Sequence, residues 1–214
     1  MIITVLASLA AFNNADLKYR MMMHPFGVSH NKEYQRIFTH GFIHADYMHL
    51  FFNMFVLYGF GENIEQTFRN EAVFNMHFPT LEFWGAGNGL GFFIVLYLGG
   101  IIFATLPSLR KHKDNPNYYS LGASGAVSSV LIAFILMFPL APLNFIFLPG
   151  IDIPAWLMGI LFFVYESYMN KKGRTGIAHD AHIYGAIWGL LLMLVIKPQF
   201  YGHFIQEILS YFTG

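Results

Sequence analysis

Six apolar stretches divide this chain, at residues 2–12, 47–64, 90–106, 122–138, 154–169 and 181–196. Polar runs stand between them, and Pro139, Pro142 and Pro198 close the fourth and the sixth. A helix needs about 20 apolar residues to cross the hydrocarbon of a bilayer, and all but the first stretch approach that length. Charged residues make up 11% of the chain, less than half of the roughly 25% of an average soluble domain. The expectation is an integral, multi-pass membrane protein, all-α, with one domain over residues 1–214 folded as a compact bundle of six transmembrane helices. The tail, residues 199–214, carries Phe200, Phe204, Ile208 and Phe212 four apart. That stripe predicts an amphipathic helix, lying on the membrane surface or packed against the bundle.

Several classes of function fall away on composition. Net charge is zero, so no basic face points to nucleic acid. With no cysteine, disulfides, thiolate catalysis and Cys-ligated metals are excluded. The opening residues Met1 to Leu6 lack the basic stretch of a signal peptide. Residues 15–39 hold Lys18, Arg20, Lys32, Glu33 and Arg36, with Pro25 and Gly27 as breakers. That connection is too polar to span, and its Met, His, Phe and Tyr content predicts a structured loop partly embedded in the membrane face.

Alternation of crossings then selects which polar residues can meet. The second, fourth and sixth stretches are separated by pairs of crossings, so they start on one side of the membrane. His49 and Asn53 lie near the start of the second, Ser124 starts the fourth, and His182 starts the sixth. Polar side chains at membrane depth are costly and normally face the bundle interior or a water-filled cavity. A serine hydroxyl is a weak nucleophile that needs a base, which a neutral imidazole can supply. An oxyanion needs fixed donors; His49 and Asn53, four apart on one helix face, can both donate. The backbone N–H of Ser124, at a helix start, is a third donor. Gly185 and Gly189 follow His182 as Gly-x-x-x-Gly, a spacing that lets membrane helices approach closely. The expected partner is the Ser124 helix, where Gly122 and Gly125 flank the hydroxyl.

Together these residues resemble the rhomboid family of intramembrane serine proteases. Gly122-Ala123-Ser124-Gly125 matches the family's Gly-x-Ser-Gly nucleophile motif, and Ala181-His182-Ile183-Tyr184-Gly185 with Gly189 matches its last-helix pattern. Phe38 to His44, then His49 and Asn53, match the first-loop and second-helix pattern, and Glu65 falls where the family often has a glutamate. The resemblance implies a Ser124–His182 dyad without an aspartate, His49 and Asn53 at the oxyanion, and an embedded, structural first loop. It implies transmembrane segments of other proteins as substrates, with no cofactor, metal or nucleotide. Two positions depart from the family. Gln35-Arg36 stands where Trp-Arg is common, and Ser128 replaces an aromatic that packs on the base, so Tyr184 or another aromatic is expected to hold His182.

Other readings compete with this one. His40, His44 and His49 could chelate zinc, but His-Glu-x-x-His is absent, and hydrogen bonding that fixes the first loop fits them better. Asp180, two residues from His182, points elsewhere on a helix, so it and His179 read as loop or N-cap residues. A rhomboid-like protein that binds transmembrane helices without cutting them is the alternative function. A transporter would show paired broken helices in related halves, and none is found. Orientation stays open. Lys18, Arg20, Lys32, Arg36, Arg110, Lys111, Lys113, Lys171, Lys172 and Arg174 crowd the active-site side, against Arg69 and Lys197 opposite. The basic-loop rule puts that side in the cytoplasm, whereas the resemblance puts it outside.

Overall fold

The computed structural model describes residues 1–79, 81–82, 86–145, 148–173 and 176–213. Arg174 and Gly214, which entered the sequence argument, lie outside them. The chain is mostly helical, and each of the six apolar stretches falls on a helix. These are α1 (Ile2–Phe12), α5 (Tyr47–Arg69), α7 (Ala86–His112), α8 (Ser124–Met137), α9 (Ala155–Lys172) and α10 (His179–Ile196). The first loop carries α2 (Ala15–Met21), α3 (Pro25–Asn31), α4 (Arg36–Thr39) and a 3-10 turn at His40–Phe42; α6 (Glu71–His77) follows α5, and α11 (Gln199–Thr213) ends the chain. By length and composition two helices could cross a membrane, Gly89–His112 within α7 and the whole of α10; α1 and α8 are apolar but shorter.

One element departs from an all-α fold. Strands β1 (Pro142–Phe145) and β2 (Leu148–Pro154) pair antiparallel, with Pro142 opposite Pro154 and Leu143 opposite Ile153. Prolines at both ends deny a helix its N–H donors, while a hairpin tolerates them at its margins.

α8 is the axis. Nearly every residue from Gly125 to Met137 is buried, enclosed by α5, α7, α9 and α10. At 14 residues it is about 21 Å long, well short of its 27-residue neighbour α7. Large apolar side chains cover the outside as well as the core. Outward faces carry Phe51, Phe55, Ile94, Val95, Ile160, Val164, Leu194 and Val195, all exposed, while His40, His44, Asn53, Ser129 and Glu166 are buried. Bare apolar flanks, with polar side chains kept inside an otherwise apolar core, are what a lipid solvent selects.

Small residues set the tightest crossing. A Cβ on Gly185 would overlap the carbonyl oxygen of Gly125, and one on Gly189 would lie 2.5 Å from the carbonyl oxygen of Ser129. Both obstacles are backbone, so α8 and α10 touch main chain to main chain. Ser129 Oγ lies within hydrogen-bond reach of two carbonyl oxygens, Ala126 O in its own helix at 2.7 Å and Leu96 O on α7 at 3.1 Å. α11 packs rather than floats. Phe200 is fully buried against Phe68, Phe74 and Phe78, and Tyr201 donates to Leu190 O at 2.7 Å.

Candidate active site

The turn that delivers Ser124 is held by the first loop. Met23 and Ser120 exchange backbone hydrogen bonds at 2.8 and 3.1 Å, and Gly122 N–H donates to His40 O at 2.9 Å. His44 Nε2 accepts from Ala123 N–H at 3.4 Å, and its Nδ1 meets Ser8 Oγ at 3.0 Å. With Nε2 accepting, Nδ1 carries the proton and donates to Ser8, which in turn donates to Phe42 O at 3.2 Å. Burial pushes both His40 and His44 down to about 4, so both are neutral near pH 7. Arg36 fixes the loop from within. It is buried, donates to Tyr19 O and Met22 O at 2.6 and 2.9 Å, and pairs with Glu33 at 2.5 Å. Its carbonyl and carboxylate contacts anchor the loop with Gln35, not tryptophan, as its neighbour.

Ser124 is the first residue of α8, with Ala123 as N-cap, so its N–H has no intrahelical partner. His182 lies one turn into α10, and its Nε2 is 2.7 Å from Ser124 Oγ. His49 stands on the other side of the serine loop. Its Nδ1 accepts from Ala45 N–H at 3.4 Å, which leaves Nε2 as the protonated nitrogen. The ring is packed against Gly122: a Cβ there would lie 2.7 Å from His49 Cε1 and 3.0 Å from Nε2. Gly122 also has φ +120, open only to glycine. Asn53 is buried one turn further along α5 and spends one amide hydrogen on His49 O at 2.9 Å. Its second hydrogen is uncommitted by that bond. Asp46 caps α5 by accepting from His49 N–H at 2.8 Å, a bond that holds its carboxyl below the usual range.

A cavity of about 1010 Å³ opens over these groups, lined among others by His49, Asn53, Gly122, Ser124, His179 and His182. It lies at the upper end of the 300–1,000 Å³ common for ligand sites.

The group that meets His182 Nδ1 is a carboxylate, and the aromatic ring against the imidazole is His179, edge to face with centroids 6.0 Å apart. Glu166 Oε1 is 3.1 Å from His182 Nδ1, and Glu166 Oε2 is 2.6 Å from His179 Nδ1. Tyr184 is replaced in the expected role by a carboxylate from α9. His179 is also not a loop residue: α10 begins with it and is capped by Ala178. Asp180 sits in the first turn, not at the cap, and pairs with Lys111 at 2.6 Å. Sequence reasoning missed Glu166 although a signal was present, a single carboxylate between Val164 and Tyr168 in an apolar run. The ligand atoms of Glu166, His179 and His182 all lie within 4.8 Å of one another, close enough for a divalent ion. These atoms already engage one another, His179 by a hydrogen bond and His182 by a 3.1 Å contact with Glu166, and His182 Nε2 is engaged by Ser124. His44 and His49, read as alternative zinc ligands, instead meet edge to face with ring centroids 5.0 Å apart.

Comparison with known proteins places the chain in a family. The chain belongs to the rhomboid family: a family model, Rhomboid domain, matches residues 31–199. It is also similar to "RHOMBOID-like protein 12, mitochondrial" of Arabidopsis thaliana, with 30% identity over 152 residues. That match covers 70% of this chain and 43% of the plant protein, so the chain spans less than half of the relative's length.

Proposed function

We propose that this protein is an intramembrane serine endopeptidase that cuts transmembrane segments of other membrane proteins. The observation that carries the reading is the 2.7 Å contact between His182 Nε2 and Ser124 Oγ on the wall of an open cavity. In this reading α1, α5, α7, α8, α9 and α10 cross the bilayer and α11 packs at its edge. The partner of Ser124, His182, is one turn into α10, so Ser124 lies below the start of that helix, and the cavity it lines gives water a path to it.

The chemistry is that of acyl transfer. His182 Nε2 takes the proton from Ser124 Oγ as the oxygen attacks the scissile carbonyl carbon. The carbonyl π electrons move onto oxygen, where His49 Nε2–H, the Asn53 amide and the Ser124 N–H donate to the oxyanion. On collapse, His182 returns the proton to the leaving amine. Water then enters and attacks the acyl carbon as His182 takes one of its protons; on collapse the bond to Ser124 Oγ breaks, His182 returns that proton to the serine oxygen, and the free acid leaves. No metal or nucleotide takes part.

The test is cleavage of a model single-span substrate in liposomes by the wild type, Ser124→Ala and His182→Ala. Cutting by the wild type alone supports the dyad, and equal cutting by the mutants removes it. Helix binding without cleavage is the rival outcome. It predicts binding of the same substrate with no fluorophosphonate labelling at Ser124.

A further inference from the structure

Among the buried groups, Glu166 has no part in the reaction just described. α9 turns most of its surface outward, and of its described residues only Ala155, Gly159 and Glu166 are buried. A carboxylate inside an apolar bundle is costly unless paired. Here each oxygen meets one imidazole nitrogen, His179 Nδ1 at 2.6 Å and His182 Nδ1 at 3.1 Å. Glu166 does not line the cavity, whereas both histidines do. Its reach toward the chemistry is therefore through His182 alone.

We infer that Glu166 is a positioning residue that, held by His179, fixes the tautomer and the angle of His182 and stabilises the imidazolium formed during attack. The inference rests on the endopeptidase reading of this site. An ionised carboxylate only accepts, so His182 must present N–H at Nδ1 and a lone pair at Nε2. That lone pair is on the nitrogen facing Ser124 Oγ, the form a general base requires. When His182 takes the serine proton, the new positive charge lies 3.1 Å from Glu166 Oε1 and is stabilised there. The proton stays on the imidazole until the leaving amine takes it, and Glu166 stays ionised. His179 occupies the other oxygen, which stops the carboxylate from rotating away. The working unit is a chain of four side chains from three helices, His179, Glu166, His182 and Ser124.

The experiment uses the full chain in detergent, comparing wild type with Glu166→Gln, which keeps the shape but loses the charge, and Glu166→Asp, which keeps the charge at shorter reach. For Glu166→Gln the expected result is a folded protein with an unchanged KM, and with kcat and fluorophosphonate labelling rate each lowered on the order of 10²- to 10⁴-fold. Glu166→Asp recovers part of that loss. In parallel, 15N spectra of histidine-labelled protein, assigned through His182→Ala, read the tautomer: wild type protonated at Nδ1 and bare at Nε2, with Glu166→Gln losing that preference. A folded Glu166→Gln with wild-type kcat overturns the inference. So does a wild-type His182 that carries its proton on Nε2. If the wild type neither cleaves nor labels at Ser124, the endopeptidase reading fails instead, and the tautomer still decides the role of Glu166.

Discussion

His44 shows how one buried side chain can couple a loop to the proposed nucleophile. Its two nitrogens bridge Ser8 on α1 and the Ala123 N–H just before Ser124. Replacing it with alanine strands a buried N–H, at a cost of about 1–3 kcal/mol. His44→Ala should lower the thermal midpoint in detergent and reduce activity through the serine loop, and an unchanged midpoint would deny the bridge. His44 and His40 also set an acid limit. Burial holds both near 4, below the 6.5 of an unfolded histidine. The unfolded chain therefore binds more protons as pH falls. The stability from these neutral rings is complete above about pH 6.5 and is lost progressively as pH drops toward 4. Thermal unfolding followed from pH 7.5 to 4.5 should show this decline, and His44→Gln should flatten it; a flat wild-type curve contradicts the assignment. Residue chemistry was also where the sequence spoke most clearly. Ser124, His182, His49 and Asn53 stood out because polar atoms are rare in apolar helices. Glu166 carried the same mark, but pairing it with His182 needs the rotation of α9 against α10, which no spacing within one segment encodes.

Between elements, backbone contact at the α8–α10 crossing sets the geometry of the site. The glycine pattern on α10 was readable in advance, since small residues four apart imply a close neighbour. Which atoms they meet was not. At Gly185 the obstacle is the Gly125 carbonyl, and main chain cannot rotate aside as a side chain can. Gly185→Ala should push α10 outward, cost about 1–3 kcal/mol as overpacking, and open the His182–Ser124 contact. Gly202 on α11 is the control, because a Cβ there meets nothing within 4 Å. Gly202→Ala should be neutral or stabilise by up to about 1 kcal/mol through helix propensity. Paired thermal melts and labelling rates check this, and equal behaviour of the two variants would refute the close-packing argument. The hairpin was illegible for a different reason. Between Phe138 and Pro154 the apolar run has no helical or alternating period, so only the pairing of its two halves defines it.

At the scale of the whole molecule, the proposed six crossings make a prediction about sides. Ser124, His49 and His182 meet at one end of the bundle, and the α7–α8 connection with Lys113 lies at that end. α6 follows the opposite end of α5, and α11 follows the opposite end of α10. The chain has no cysteine, so single cysteines report without background. Lys113, Met76 and Ser210 are all exposed, and replacing each in turn with cysteine gives three probes. In sealed vesicles a membrane-impermeant maleimide should modify Lys113→Cys from one side, and Met76→Cys and Ser210→Cys only from the other. All three reacting from one side would rule out the six crossings. The same labelling in vesicles of known orientation decides what the basic residues mean. Several of those at the active-site end are bound within the fold: Arg36 to carbonyls, Lys18 to Ala45 O at 2.8 Å, Lys111 to Asp180. Insertion, however, counts charge along the chain before such bonds form. If Lys113→Cys reacts from the cytoplasmic side, the basic loops set the topology and the cavity opens to the cytoplasm. If it reacts from outside, the basic residues at the cavity are kept for folding the first loop and closing α7 onto α10.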